Sequence, residues 1–349
     1  MSALAITDAL VASLKAASRG EVLTGTPLAP RVSVRVGGDA ALFVRPKDPP
    51  ALVAVLQLLA SAQVPWYALG GGANTIVGDG GIEGAVLKLG PDFADEAIEE
   101  GGDHVLLTLG AGAPSARLLQ VSRIERGVGV AWVAGIPGTI GGLVAMNAGT
   151  PAGSMADHLE AVEVAGPDGL RWVPVAELRM SYRHCELPAG TVLVRARCRV
   201  KRGTEADLRV QDARAAEDQE KRRKTQPLTM PNSGSVFVNP TGDHAGRLIE
   251  AAGLKGERRG GAQISERHAN FIVNVGGAKA AEVVELIALA RRTVKERAGV
   301  VLTPEVRLCG TFTPPLPEEL HPFMVLPFLA AVAARNGSAA ATSGAKVSP

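Results

Sequence analysis

The chain has 349 residues, 46% hydrophobic and 21% charged, a balance that fits a soluble globular protein of two or three domains with ample core. Its 37 basic residues against 35 acidic ones leave a formal charge of +2, and aromatic residues make up only 3%. That combination excludes the electrostatic footprint of a nucleic-acid or anionic-membrane binder.

Residues 1–20 predict a short amphipathic helix, with Leu4, Ala5, Leu10, Val11 and Leu14 near helical spacing and Gly20 at its end. Asp8 and Lys15 break its apolar run and no basic segment precedes it, so it does not read as a signal peptide. Residues 32–36 and 42–44 read as strands around the turn Gly37-Gly38-Asp39. Asp48 before Pro49-Pro50 starts a helix whose inward face is Leu52, Val55, Leu56 and Leu59. Residues 64–69 are a buried strand that runs into Gly70-Gly71-Gly72-Ala73-Asn74. Strand, helix, strand and glycine turn make an α/β unit with its ligand-binding turn at a strand's carboxyl end.

This turn is not a Rossmann fingerprint, because Thr75 stands at the third glycine position and no acidic residue follows at the right distance. Gly110-Ala111-Gly112 fails in the same way at Ser115, and no P-loop motif occurs. Residues 105–109 are a strand, and residues 114–126 a helix closed by Gly127. An uncharged stretch then carries Gly135, Ile136, Pro137, Gly138, Gly141 and Gly142, followed by Asn147-Ala148-Gly149. Glycine admits close approach of backbone N–H groups to a ligand, and successive N–H groups form a nest for phosphate oxygens. Alone, the stretch is equally a tight buried crossing; the second glycine turn upstream favours the phosphate site.

Residues 159–164 and 170–173 form a hairpin around Gly166-Pro167-Asp168-Gly169, and residues 192–200 alternate as a half-exposed strand. Residues 206–224 are a charged helix without a wide apolar face, the clearest boundary signal in the chain. Its basic end, Lys221-Arg222-Arg223-Lys224, has no interleaved aromatics and reads as a solvated helix end or a local anion contact. A loop-rich segment over 226–240 precedes a helix over 245–252 closed by Gly253, a strand over 271–275 and a helix over 280–297. That last helix turns Val283, Val284, Ile287, Ala290 and Val294 inward and ends at Gly299, before a closing strand over 300–308. From Thr311 the composition shifts, and residues 336–349 read as a disordered tail. The apolar stretch 322–334 contains Pro327 and falls short of the ~20 residues of a membrane span. Cys185, Cys198 and Cys309 show neither disulfide nor zinc spacing, the histidines show none for a metal, and a cytoplasmic protein without bound metal is expected.

The order of these motifs is itself informative. The two glycine turns are followed by Ser181-Tyr182-Arg183, Gly234-Ser235-Val236-Phe237-Val238-Asn239-Pro240, Gly253-Leu254-Lys255-Gly256, Ser265, His268-Ala269-Asn270-Phe271 and Pro304-Glu305-Val306-Arg307. From about residue 31 to residue 310 this series resembles the UDP-N-acetylenolpyruvoylglucosamine reductase family, in its shorter type without a tyrosine-bearing insertion. The resemblance implies an α+β fold: a two-part FAD-binding module of the vanillyl-alcohol-oxidase (PCMH) type, followed by a smaller α+β substrate-binding domain. The expected division is 1–85 and 86–205 for the two FAD-binding subdomains, 206–310 for the substrate-binding domain and 311–349 for a C-terminal extension. It further implies bound FAD, NADPH as co-substrate, a UDP-sugar substrate and a monomer working in peptidoglycan synthesis.

By that resemblance Gly70, Gly71, Gly72, Ala73, Asn74, Gly135, Ile136, Pro137, Gly138, Gly141, Gly142 and Asn147 are cofactor-binding. Tyr182 and Asn239 are substrate-binding, and Arg183, Ser235 and Glu305 are catalytic. The implied chemistry passes a hydride from NADPH to FAD and on to the enolpyruvyl double bond. That conjugate addition builds charge on the substrate carboxylate. Arg183 is a fixed planar cation suited to it, Glu305 orients or polarises the intermediate, and Ser235 donates the proton. Outside the motif order, each has an ordinary structural reading: an interdomain salt bridge for Arg183, a turn hydrogen bond for Ser235, a paired surface carboxylate for Glu305. His268 reads as structural.

The chain departs from the family pattern at Ala73 (serine), Ala131 (glutamate), Thr150-Pro151 (a small–aromatic pair), Cys185 (serine) and Val238 (lysine). The Val238 change bears on substrate affinity. Two other readings stay open: a flavin oxidase of the same fold, for which His158 and Cys185 are the nearby tether candidates, and a non-catalytic flavin- or nucleotide-sugar-binding homologue.

Overall fold

Thr7 accepts a hydrogen bond from the Leu10 amide and starts helix α1 (Asp8–Ser18), which buries Leu14 before the chain turns at Arg19. The computed structural model describes residues 6–325; Leu4, Ala5 and the expected disordered tail at 336–349 lie outside them. After α1 come β1 (Glu21–Pro27), β2 (Asp39–Arg45), α2 (Pro49–Ser61), β3 (Trp66–Leu69), β4 (Thr75–Val77) and β5 (Ile82–Lys88). The Asp48 carboxylate caps α2 by accepting from the Ala51 amide at 2.9 Å. The expected face of α2, Leu52, Val55, Leu56 and Leu59, is completely buried. Strands β2, β5 and β3 run parallel, and β1 lies antiparallel on the edge of β2.

Residues 32–36 are not the strand their alternating valines suggest. They form a turn in which Arg35 has φ 57°, and Val32, Val34 and Val36 plug a core shared with the C-terminal part of the chain. The alternation reflects burial of a turn, a pattern that mimics a strand's period.

The middle of the chain builds an antiparallel sheet from β6 (Glu96–Glu100), β7 (His104–Gly110), β8 (Gly127–Val128), β11 (Leu159–Gly166), β12 (Gly169–Pro174) and β13 (Val192–Arg202), ordered β12-β11-β13-β7-β6 with β8 on β13. Helix α3 (Arg117–Ile124), helix α4 (Ile140–Ala145) and the short hairpin β9 (Gly149–Thr150) and β10 (Gly153–Ser154) lie among these strands in sequence. The expected hairpin is present, with Gly166 paired to Gly169. Helix α3 is shorter than expected because Arg126, at φ 59°, turns the chain before Gly127 enters β8. Along β13 the apolar residues face the core, while Arg195, Arg197 and Arg199 pair on the other face with Glu163, Glu99 and Glu160.

Helix α5 (Glu205–Thr225) opens with a capping box between Thr204 and Asp207. Its Gln211 accepts from the Val130 amide and donates to the Gly127 carbonyl, both at 3.0 Å, fastening the helix to the middle sheet. Then follow α6 (Ala245–Ala251), β14 (Arg258–Arg259), β15 (Ala262–Ile264), β16 (Ile272–Asn274), α7 (Ala280–Ala298) and β17 (Arg307–Cys309). The whole expected face of α7 is buried, and Gly299 ends it at φ 71°. The closing strand is much shorter than expected: Arg307–Cys309 pairs in parallel with β4, while Pro304 makes an isolated bridge to Phe237. Asp79, just after β4, also accepts from the Ala280 and Ala281 amides at 2.9 Å and caps α7. Through these contacts the C-terminal part and the first sheet share one hydrophobic cluster. Phe312, Leu316 and Leu320 beyond β17 are buried in the same cluster. Among the described residues no helix is long and apolar enough to cross a membrane, and no cluster of potential metal ligands occurs.

Candidate active site

The two glycine turns touch. A Cβ at Gly71 would lie 2.6 Å from the Gly138 Cα, so this crossing tolerates no side chain. Gly138 has φ 110°, yet a Cβ there would meet nothing nearer than Ala73 at 3.9 Å, so open space lies beside it. Gly70 approaches Thr139, and Ala73 lies against the Gly234 turn. Among the described residues the amides of Gly71, Gly72, Ala73, Asn74, Gly138 and Thr139 have no protein acceptor. Others in the second turn are used: Ile140 donates to Ala113, Gly141 to Ala111, and Gly142 to the Thr139 hydroxyl. Two rows of free N–H groups thus meet across a glycine–glycine contact, a nest of the kind that holds a dinucleotide's phosphates. Ser115 braces the second turn, donating its hydroxyl to the Ile136 carbonyl at 2.5 Å and its amide to Gly138 at 3.0 Å. Pro137 fixes the backbone between those two residues.

Asn74 and Asn147 hold protein rather than project freely. The Asn147 amide donates to the Ser181 carbonyl at 2.8 Å and accepts from the Ala156 amide at 3.0 Å. It thereby anchors the tight turn Ser181-Tyr182-Arg183-His184, whose two ends exchange backbone hydrogen bonds at 3.0 Å. Arg183, at φ 58°, points its guanidinium inward, with Nε 3.2 Å from Glu305 Oε1 and Nη2 donating to the Gly149 carbonyl at 2.7 Å. Tyr182 is exposed and its ring lies 4.9 Å from that guanidinium.

Glu305 follows a short extended run that lies against the segment carrying Ser235. Its amide donates to the Val236 carbonyl at 2.8 Å, and Val238 donates to Thr303 at 3.0 Å. Burial pushes the Glu305 carboxyl up from its ordinary value, against the opposing pull of Arg183. Arg307 lies partly buried two residues on, donating to the Ala145 carbonyl at 3.0 Å at the end of α4. Asn270, which sequence reasoning quoted without assigning a task, is buried and clamps Phe237. It accepts from the Phe237 amide at 2.9 Å and donates to the Phe237 carbonyl at 2.8 Å, standing in for a neighbouring strand. Its only sequence signal is its place between His268 and Phe271. His268 accepts from the Asn270 amide at 3.2 Å and packs edge-on against Phe271.

Tyr182, Arg183, Ser235, Asn239, His268 and Glu305 line one cleft of about 330 Å³. Asn239 sits at its rim and accepts from the Ala245 amide at 3.1 Å. Every expected catalytic and substrate-binding residue therefore reaches this cleft, and the glycine turns lie next to it through the Ala73–Gly234 contact and the bond from Asn74 to Glu305.

A paired nest on this α+β scaffold is the site of an FAD-dependent protein, and residues 40–173 match the FAD binding domain family. Residues 226–309 match the family described as UDP-N-acetylenolpyruvoylglucosamine reductase, C-terminal domain. A reductase of that name from an Anaeromyxobacter species is 52% identical over 84% of this chain and 90% of its own. Another, from Myxococcus xanthus, is 50% identical over 88% and 98%. The crystal structure of the Thermus caldophilus reductase superposes with a TM-score of 0.69 at 34% identity, covering 82% of this chain and 98% of that one. The chain belongs to the UDP-N-acetylenolpyruvoylglucosamine reductase family.

Proposed function

We propose that this chain reduces UDP-N-acetylglucosamine enolpyruvate to UDP-N-acetylmuramate for peptidoglycan synthesis, in the cytoplasm and as a monomer, with Arg183, Ser235 and Glu305 as its catalytic residues. The observation that carries the reading is the Arg183–Glu305 pair, 3.2 Å apart and largely buried, in the same cleft as Ser235. The free amides of Gly71–Asn74, Gly138 and Thr139 hold the flavin phosphates. Ile136, Gly141, Gly142 and Asn147 spend their amides on protein and Pro137 has none, so these residues shape the nest, which Gly70 and Gly135 flank. Held there, FAD would supply two-electron redox chemistry linking NADPH to the terminal carbon of the enolpyruvyl group.

The remaining work falls to side chains. Hydride addition leaves an electron pair delocalised from the ether-bearing carbon into the carboxylate, and Arg183 stabilises that charge. Its fork is oriented by Glu305 on one side and the Gly149 carbonyl on the other. Ser235 delivers a proton to the ether-bearing carbon, completing the lactyl group, and regains one from solvent through the open cleft. Tyr182 and Asn239, at the rim, meet the sugar nucleotide.

An anaerobic two-step spectrum tests the reading. NADPH should bleach the flavin, and UDP-N-acetylglucosamine enolpyruvate added next should restore the oxidised spectrum. Bleaching without restoration would mean a different acceptor.

A further inference from the structure

Three parallel strands, β2, β5 and β3, end side by side at Arg45, Lys88 and Leu69. Val44 is in register with Leu87 and Leu69 with Lys88, so Arg45 and Lys88 leave the same face of the sheet as neighbours. This is the carboxyl edge of a parallel sheet, where open α/β sheets bind their ligands. Lys88 donates through Nζ to the carbonyl of Gly70, the first residue of the first glycine turn. A third cation is near: the Arg31 carbonyl would lie 2.5 Å from a Cβ at Gly72, and its guanidinium covers the Phe43 ring at 4.6 Å.

These charges are poorly balanced by protein. Among the described residues Lys88 has no carboxylate at ion-pair distance, and Arg45 has only Glu21 at 3.7 Å. Burial, and then repulsion from Arg45 and Arg31, draw the Lys88 ammonium below its ordinary proton affinity. Like charges gathered beside a nest of free amides are favourable when an anion joins them. Ala73, in the middle of that nest, has no hydroxyl to offer a phosphate.

We propose that Lys88 and Arg45 supply the counter-charge for the diphosphate of bound FAD, taking over a contact that the side chain at position 73 does not make. The proposal rests on FAD occupying the two glycine turns.

Titrations of the full-length apoprotein with FAD and with riboflavin, followed by flavin fluorescence, test it. Lys88→Gln and Arg45→Gln should each raise the Kd for FAD about tenfold, the scale of one charge-assisted hydrogen bond, and leave riboflavin binding unchanged. Lys88→Arg should keep most of the affinity. Added salt should weaken FAD binding to the unaltered protein, with a shallower dependence in Lys88→Gln. Unchanged FAD affinity in both Gln variants would overturn the proposal. Equal weakening of FAD and riboflavin would also overturn it, since Lys88 would then only brace Gly70. If the unaltered apoprotein bound neither flavin, the FAD site would fall, and the proposal with it.

Discussion

The side-chain amide of Asn74 donates to the backbone carbonyl of Glu305 at 3.1 Å, joining residues 231 positions apart. The Arg307 amide returns the contact, donating to the Asn74 carbonyl at 3.1 Å. One residue therefore sets both the end of the first glycine turn and the height of the carboxylate beside Arg183. Replacing Asn74 by alanine leaves the Glu305 carbonyl unpaired and frees both segments. Steady-state kinetics should show kcat/KM lower by about tenfold, the scale of one buried hydrogen bond, and apoprotein titration should show weaker FAD binding. Normal values for both would mean that the β17–β4 pairing alone holds this register.

Arg183 serves two acceptors, the Glu305 carboxylate and the Gly149 carbonyl, through different nitrogens of one fork. Lysine keeps the charge but cannot span both in that planar geometry. Arg183→Lys should therefore lower kcat by about 10²–10³, the loss typical of removing a preorganised stabiliser of developing charge, with a smaller change in KM. A KM effect with intact kcat would make Arg183 a binding residue only.

The proton-donor assignment is separable from flavin reduction. Ser235→Ala should leave the rate of flavin bleaching by NADPH unaltered and slow its return with the enolpyruvyl substrate by about 10²–10⁴, the range for a general acid. Stopped-flow absorbance reads the two phases independently. Equal slowing of both would mean that the substitution had disturbed the cleft as a whole.

Asn270 offers a test of architecture apart from chemistry. It is buried with both ends of its amide spent on Phe237, so alanine leaves a backbone donor and an acceptor unpaired in the core. The loss should be about 2–4 kcal/mol of stability, seen as a lower urea midpoint with an unchanged slope.

Local signals carried much of this fold. Asp48-Pro49-Pro50 marks the start of α2, Gly299 the end of α7, and the Gly166–Gly169 corner its hairpin, because each depends on residues within a few positions. What was not legible depends on distant partners. Val32, Val34 and Val36 alternate like a strand but plug a core completed by the C-terminal part of the chain. Residues 300–308 look like one strand, yet a strand forms only at Arg307–Cys309, where the chain meets β4. The site divides in the same way. The glycine turns and the residues Arg183, Ser235 and Glu305 stand out by their order. The tasks of Asn74, Asn147 and Asn270 follow only from contacts with backbone far along the chain.

The Glu305 carboxyl gives a prediction whose sign is fixed by burial. Its folded pKa is raised above 4.5, with burial the larger cause and Arg183 opposing it. An acid with a raised folded pKa favours the fold most when protonated, so its contribution is complete below the unfolded value and is lost as pH rises through the folded one. Unfolding of the apoprotein across that window should therefore show a falling contribution from Glu305. Glu305→Gln removes the titration, so the stability difference, variant minus unaltered protein, should climb as pH rises from about 4 and level off above the folded pKa. The absolute offset also includes the weaker hold of a neutral amide on Arg183, so the slope with pH is the informative quantity. A difference that stays flat, or that falls with pH, would mean that the ion pair with Arg183 outweighs burial and that Glu305 is ionised at little cost.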